Sequence, residues 1–323
     1  MLTFFASVLA SLPDQPPPTI RLSRLEKYTP YLLADVRTAS QQRKFTFGSA
    51  FSGGGGSSVG YCLAGGVGLF AIDFVPEAAR TYRRNFPRTL IDRRDIREIT
   101  RDARTVAELL ERVNLKPGDL DILDGSPPCC EFSTAGRGIG DQEVMRVYSD
   151  VVQNNIASLA FDHADLIQLA RPKVFVVENV PAFASARSRE VYERLLHALR
   201  YLADGTRSYY VNAAVLSADD FGVPQNRKRL FIVGVRKDVG EAVGFGSDDA
   251  VRDAIPAPTK IGATVRSALA GLHQTENDVW PWFESALTTQ LSGLIRRLPK
   301  CPPERTRFPD VASAYTLTRS LHP

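Results

Sequence analysis

Gly53, Gly54, Gly55 and Gly56 stand in an unbroken run between an apolar segment that ends at Phe51 and a stretch that opens a helix. Glycine lets the backbone take positive φ and come close to a bound group, and the start of a helix offers N–H groups with no partner of their own. One or two glycines would make a tight turn. Four in a row at the end of a strand predict a loop built around a ligand. Such loops belong to the carboxyl edge of a parallel sheet, which commits the chain to alternating strands and helices.

The rest of the sequence keeps to that alternation. Short apolar runs at residues 45–51, 67–73, 89–92, 120–124, 174–178, 209–216 and 229–235 read as strands, and residues 76–85, 106–113, 144–169 and 188–202 have the apolar spacing of helices. Seven strands in this order predict an α/β fold with one doubly wound, Rossmann-like sheet. No internal repeat is present. Near Lys237 the rhythm stops: prolines become frequent (Pro256, Pro258, Pro281, Pro299, Pro302, Pro303, Pro309), both tryptophans follow, and a second, small and irregular region is expected. The organisation read this way is an N-terminal extension over residues 1–44, a main domain over 45–240 and the irregular region over 241–323.

Charge and cysteine content narrow the setting. Forty Lys and Arg against 36 Asp and Glu give a net charge of +4, which permits a polyanionic partner without requiring one. Cys62, Cys129, Cys130 and Cys301 form no C-x-x-C pair and no disulfide-type spacing, so no metal site is expected and a reducing cytoplasm fits best. The apolar first twelve residues lack a basic n-region and suit a docking helix, or an upstream start-site error, better than a secretory leader. No apolar run approaches the roughly 20 residues that cross a bilayer, so no membrane role is expected.

Two carboxylates follow the glycine loop at suggestive places. Asp73 stands twenty residues after Gly53 at the end of the next strand, where a carboxylate would accept hydrogen bonds from ribose hydroxyls. Asp95 follows the third strand and could receive the amino group of an adenine ring, with Ile96 against the ring face; alone such an aspartate is more often a solvated turn residue. Neither separates a nicotinamide enzyme from a methyl transferase.

The reactive candidates lie further on. Leu120-Asp121-Ile122-Leu123-Asp124 is a strand, and Gly125-Ser126-Pro127-Pro128-Cys129-Cys130 is the loop at its carboxyl end, with paired prolines stiffening the approach to the thiol. A lone loop cysteine is usually inert. Glu178 ends an apolar run, Val174-Phe175-Val176-Val177, where a carboxylate is costly unless paired or used, and burial there would raise its pKa. Gln225-Asn226-Arg227-Lys228-Arg229 leads into the last strand and could equally be a solvated basic turn.

Taken in order, these pieces resemble the blocks of the DNA cytosine-5 methyltransferase family. The glycine loop is similar to that family's F-x-G-x-G-G motif, Pro127-Pro128-Cys129 to its P-P-C motif, Glu178-Asn179-Val180 to its E-N-V motif, and Gln225 through Arg229 to its Q-x-R-x-R motif. The resemblance implies a Rossmann-like S-adenosylmethionine-dependent methyltransferase sheet with a C-terminal target-recognition region, and transfer of a methyl group to C5 of cytosine in double-stranded DNA. It implies Cys129 as nucleophile, with Glu178, Arg227 and Arg229 completing the catalytic set. Phe51, Ser52, Gly53, Gly55, Gly56, Asp73, Phe74, Asp95, Ile96 and Pro128 would hold S-adenosylmethionine, and Ser133, Asn179 and Gln225 would contact the target nucleotide. No metal is implied. A cytoplasmic protein, nucleoid-associated in a prokaryote, is expected, with a restriction-modification setting among the roles such enzymes fill.

The chain departs from the family in three places. The acid that usually opens the first motif is replaced by Ser49, and the glutamine that usually follows the nucleophile by Cys130. The ninth and tenth blocks, L-T-x-R-E and G-N-x-V, are not found after Arg229, which brings in a complementary C-terminal subunit as a partner, or a noncatalytic relic that binds cofactor or DNA without turnover. Within the same chemistry, a transfer-RNA cytosine methyltransferase is the runner-up; that branch's C-F-T triplet is not found.

Overall fold

The computed structural model describes residues 33–128, 146–148, 151–153 and 158–259. They fall within the first of two compact units, Met1–Gly262. In chain order the elements are α1 (Leu33–Ser40), β1 (Phe45–Ala50), α2 (Gly56–Leu63), β2 (Gly66–Ile72), α3 (Pro76–Asn85), β3 (Leu90–Asp92), α4 (Ile96–Ile99), α5 (Ala103–Glu111), β4 (Ile122–Gly125), β5 (Arg146–Tyr148), β6 (Val151–Gln153), α6 (Leu159–Ala170), β7 (Val174–Asn179), α7 (Arg189–Arg200), β8 (Tyr209–Ser217), β9 (Lys228–Arg236), α8 (Lys237–Val243) and α9 (Asp248–Asp253). Short 3-10 turns, Pro181–Ala184, Ala186–Ser188 and Ala218–Phe221, follow β7 and β8.

Seven strands form one sheet in the order β3-β2-β1-β4-β7-β9-β8. β1 pairs in parallel with β2 on one side and β4 on the other, so strand order reverses there, and the crevice outside the carboxyl ends of β1 and β4 is where an α/β sheet binds ligands. β9 runs antiparallel to both β7 and β8. Its direction opposes that of β1, β2, β3, β4 and β7, and it matters for the site: the start of β9 lies beside the end of β7.

Side chains alternate across the strands and build two cores. Phe70, Ile72, Leu123, Phe175, Val177 and Ile232 face α4, α5, α6 and α7, while Phe45, Phe47, Ile122, Val174, Val176 and Val233 face α1, α2, α3 and α9. Strands buried on both faces read as continuous apolar runs, and that is why the sequence marks them so clearly.

The helix expected over residues 144–169 is only partly present. Arg146–Tyr148 and Val151–Gln153 form a two-stranded antiparallel pair, and the helix begins at Leu159. Val147, Tyr148, Val151 and Val152 are β-branched or aromatic and favour strands, whereas apolar spacing alone ran them into the helix behind. At the free edge of the sheet, α9 caps β8. The Val211 N–H donates to Asp248 Oδ1 at 2.9 Å, the Asn212 amide to the Asp248 carbonyl at 2.7 Å, and Arg200 and Arg207 reach the same carboxylate at 3.2 and 3.0 Å. No helix among the described residues is long and apolar enough to cross a membrane.

Candidate functional site

The glycine loop leaves β1 at the reversal point and turns at once. Phe51, Gly53 and Gly55 all have positive φ, at 52°, 55° and 95°. At Gly55 the requirement is double: besides the left-handed backbone, a Cβ would fall 2.5 Å from the Phe86 ring of the segment after α3. Gly55 is the N-cap of α2, whose first residue, Gly56, lies open to solvent. The loop's N–H and C=O groups are held by its own turn, with the Gly55 N–H donating to the Ser52 carbonyl, and by Asn85, whose amide donates to the Gly54 carbonyl at 2.9 Å.

Asp73 ties this loop to the end of β2. Its Oδ2 accepts the Gly53 N–H at 2.7 Å and its Oδ1 the Val75 N–H at 2.9 Å. Burial pushes its pKa up, against the pull of those two N–H groups. Each carboxylate oxygen keeps a second lone-pair direction, and Phe74 beside it is half-buried. Asp95 is more fully engaged. It caps α4 through the Arg97 N–H, and the Arg97 guanidinium holds both its oxygens, at 2.9 and 2.7 Å. Ile96 is sunk in the core. On the neighbouring strand Asp92 is gripped by Arg94 and Arg112, whose hydrogen bonds and charges outweigh burial and hold its carboxyl below the usual range.

At the other side of the crevice, β4 ends in Gly125 and passes through Ser126, Pro127 and Pro128. Cys129 and Ser133 lie outside the described residues, as does Cys130. The approach to them is fixed from β7. Asn179 donates its amide to the Pro127 carbonyl at 3.2 Å, and its Oδ1 accepts the Val180 N–H at 2.8 Å. The residue before it, Glu178, pairs with Arg229 at the start of β9, Nε to Oε1 at 2.8 Å, and both side chains keep a minor part of their surface in solvent. Burial raises the Glu178 pKa, while Arg229 and Arg227 oppose the shift. Arg227 and Gln225 are exposed on the turn that enters β9.

The structure thus gathers the glycine loop, Asp73, the Pro127-Pro128 turn, Asn179, Glu178 and Arg229 at one sheet edge. It also places two residues there that sequence reasoning passed over. His163 on α6 is fully buried, neither ring nitrogen has a hydrogen-bond partner, and burial lowers its pKa to about 3. Its ring meets Phe51 edge-on at 5.8 Å and lies against the backbone of Gly125, where a Cβ would collide with it. Asp124 is buried in β4, and burial raises its pKa to about 7 despite the nearby Ser57 and Ser49 hydroxyls. The signal for Asp124 was available: a charge inside an apolar strand is costly wherever it occurs, and the same reasoning had singled out Glu178. Among the described residues no cluster of His, Cys, Asp and Glu is arranged to hold a metal ion.

Chemically, the edge offers a backbone cradle beside a buried carboxylate, and across the crevice a carboxylate and a guanidinium next to a proline-stiffened loop. A family model for C-5 cytosine-specific DNA methylase matches residues 45–280. Type II methyltransferase M1.HphI of Haemophilus parahaemolyticus is 33% identical over 196 residues, 61% of this chain and 47% of that protein. Type II methyltransferase M.AquIA of Picosynechococcus sp. is 33% identical over 192 residues, 58% of this chain and 71% of that protein. The match to M1.HphI thus spans about half that relative's length. A crystal structure of a prophage-encoded E. coli protein assigned as a DNA modification methyltransferase superposes with a TM-score of 0.53 at 24% identity, covering 71% of this chain and 56% of that one, and shares its fold.

Proposed function

The chain belongs to the C-5 cytosine-specific DNA methylase family, and from that premise we propose that it methylates C5 of cytosine in double-stranded DNA through a covalent adduct on Cys129. The observation that carries this reading is the meeting of Glu178 with Arg229 at 2.8 Å, next to the hydrogen bond from Asn179 to the Pro127 carbonyl. Together they set a polar clamp for a heterocycle beside the loop that delivers the thiol two residues later.

The cofactor of this reading is S-adenosylmethionine, and the loop fits it. A backbone turn at positive φ through Gly53 and Gly55, with open space beside Gly53, and a buried carboxylate at Asp73 with lone pairs to spare, suit a nucleoside with ribose hydroxyls. Bound there, S-adenosylmethionine supplies an electrophilic methyl group. Asp95 and Ile96 would border the adenine, with Phe51, Ser52, Gly53, Gly56, Phe74 and Pro128 lining the rest.

The chain's own residues do the remainder. Cytosine C5 is a poor nucleophile until a thiolate adds to C6, and Cys129 forms that bond. Glu178, with its pKa raised by burial, holds the ring nitrogen and exocyclic amine and offsets the charge that develops there. Arg229 holds Glu178 and borders the carbonyl edge of the base; Arg227 and Gln225, exposed, are placed for the backbone or the flanking nucleotide, with Ser133 and Asn179 supporting the base. After transfer the C5 proton leaves to a base, the C6–sulfur bond breaks and the thiolate is restored. A target in duplex DNA must leave the stack to reach these groups.

The test is label transfer. Full-length protein with tritiated S-adenosylmethionine and duplex DNA should yield labelled 5-methylcytosine, and Cys129→Ser should abolish the yield while cofactor still binds. DNA with 5-fluorocytosine at the target should trap an adduct on the peptide containing Cys129. Label in transfer RNA and not in DNA would reverse the substrate assignment. Turnover in Cys129→Ser would overturn the nucleophile. If a polypeptide carrying the ninth and tenth blocks is needed for activity, the complementary-subunit partner stands; full activity of this chain alone removes it.

A further inference from the structure

Ser49 Oγ, Ser52 Oγ and Asp124 Oδ1 are buried at the carboxyl ends of β1 and β4 without a hydrogen bond of full geometry, and the Ser49 and Ser57 hydroxyls offset the burial of the Asp124 carboxylate only in part. Ser49 and Asp124 are direct neighbours in the parallel pairing of the two strands. They share a face of the sheet, because Phe47 and Ile122, two residues earlier on each strand, both belong to the core under α2 and α3. Ser49 is fully buried and Asp124 is 7% exposed. Buried polar groups in native structures are almost always fully paired, and a buried carboxylate faced by hydroxyls, with one oxygen short of a well-formed hydrogen bond, at a sheet's reversal point calls for a functional account. The family's first motif carries an acid where this chain has Ser49; here the acid stands one strand over.

We propose that Asp124 is the positioning carboxylate of the cofactor loop, acting from β4 across Ser49 on the first turn of α2 and so replacing an acid on β1. The inference rests on the methyltransferase reading for the identity of the cofactor. Ser57, the second residue of α2, is among the hydroxyls that stabilise the Asp124 carboxylate. Binding at the loop would favour the ionised form of Asp124, whose charge then orders Ser57 and the N–H groups around it. In the free protein burial holds Asp124 near neutrality, at about 7. The other titratable groups facing it are Tyr61 from α2 and Tyr82 from α3, both pushed upward by burial, so neither changes charge near neutrality. His163 lies on the opposite face, against Gly125.

Calorimetric titration of the full chain with S-adenosylhomocysteine at pH 6 and pH 8.5 tests this, with thermal melts as the check on folding. Wild type should bind about tenfold tighter at the higher pH, as expected when binding ionises a group that titrates near 7. The isosteric Asp124→Asn should lose that gain, binding at both pH values about as weakly as wild type at pH 6; Asp124→Ser repeats the measurement with a smaller side chain. The double variant Ser49→Asp/Asp124→Ser, which returns the acid to β1, should recover affinity to within threefold of wild type. The ligand's own titration is common to all four proteins and cancels. Folded Asp124→Asn within twofold of wild type at both pH values, or a folded double variant no better than Asp124→Ser, overturns the proposal and leaves the methyltransferase reading intact. Wild type that binds neither S-adenosylhomocysteine nor S-adenosylmethionine overturns both.

Discussion

Asn179 reaches from the end of β7 to the carbonyl oxygen of Pro127, 3.2 Å away, and both residues are buried. Its other amide atom accepts the N–H of Val180, so the side chain cannot rotate without losing two hydrogen bonds. Through it the strand that carries Glu178 sets the position of the loop that leads to Cys129.

Asn179→Ala should therefore lower kcat with little change in cofactor affinity. A loss on the order of tenfold to a hundredfold is expected from a small displacement of a reacting group. Single-turnover methyl transfer, read beside a cofactor titration, separates the two effects. Equal losses in both would point to general loosening of the edge.

Arg229 opposes the upward shift that burial imposes on Glu178. Arg229→Gln removes that opposition, so the limb of the kcat/KM profile that reports Glu178 should move to higher pH. Arg229→Lys should keep the limb nearer its wild-type position while still lowering the rate, because an ammonium lacks the planar fork. An unmoved limb in Arg229→Gln would assign it to another group.

The two buried titrating residues pull stability in opposite directions as pH changes. His163 has its pKa depressed from 6.5 to about 3, so the stability of its neutral form is present above 6.5 and lost as pH falls. Asp124 has its pKa raised from 3.8 to about 7, so its contribution is present below 3.8 and lost as pH rises through 7. Each is worth on the order of 4 kcal/mol across its window, and between about pH 4 and 6.5 they offset one another. Relative to wild type, His163→Leu should lose stability as pH rises through that interval, and Asp124→Asn should gain it. Parallel denaturation curves at pH 4.5 and 6.5 for the three proteins would show either slope or its absence.

Two neighbouring glycines should respond differently to a single methyl group. Gly55→Ala meets both positive φ and the Phe86 ring, and about 1–3 kcal/mol of stability should be lost together with cofactor binding. Gly56→Ala points into open space at the first residue of α2; stability should change by less than about 1 kcal/mol, toward the more stable side. Equal effects would mean that the loop rearranges freely.

Much of this architecture was legible in the chain because its strands are buried on both faces. The runs at 45–51, 67–73 and 174–178 return as β1, β2 and β7 with ends displaced by no more than one residue. Pattern failed where it had to choose between periods: Val147 to Val152 has enough apolar residues to extend a helix, yet Val147 and Tyr148 pair with Val152 and Val151 as strands. The direction of β9 could not be read either, since nothing local tells whether a strand runs up or down a sheet. That direction is what brings Arg229 to Glu178. The glycine loop and Asp73 were visible as types and spacings, whereas the N–H groups that occupy Asp73, and the capture of Asp95 by Arg97, depend on the path of the folded backbone. His163 gave no signal at all, because a histidine inside a helix looks the same whether it faces water or a glycine.

The cap that α9 places on β8 bears on how such a chain behaves in company. β8 is the last strand of the sheet, and an outer strand with free N–H and C=O groups is a template on which a second molecule can add its own strand. Asp248 occupies that template at Val211, its backbone carbonyl takes the Asn212 amide, and two arginines hold the plug in place. The outer edge of the sheet is thereby guarded against edge-to-edge aggregation along the first, most deeply buried part of β8, at the end away from the Arg229 hairpin.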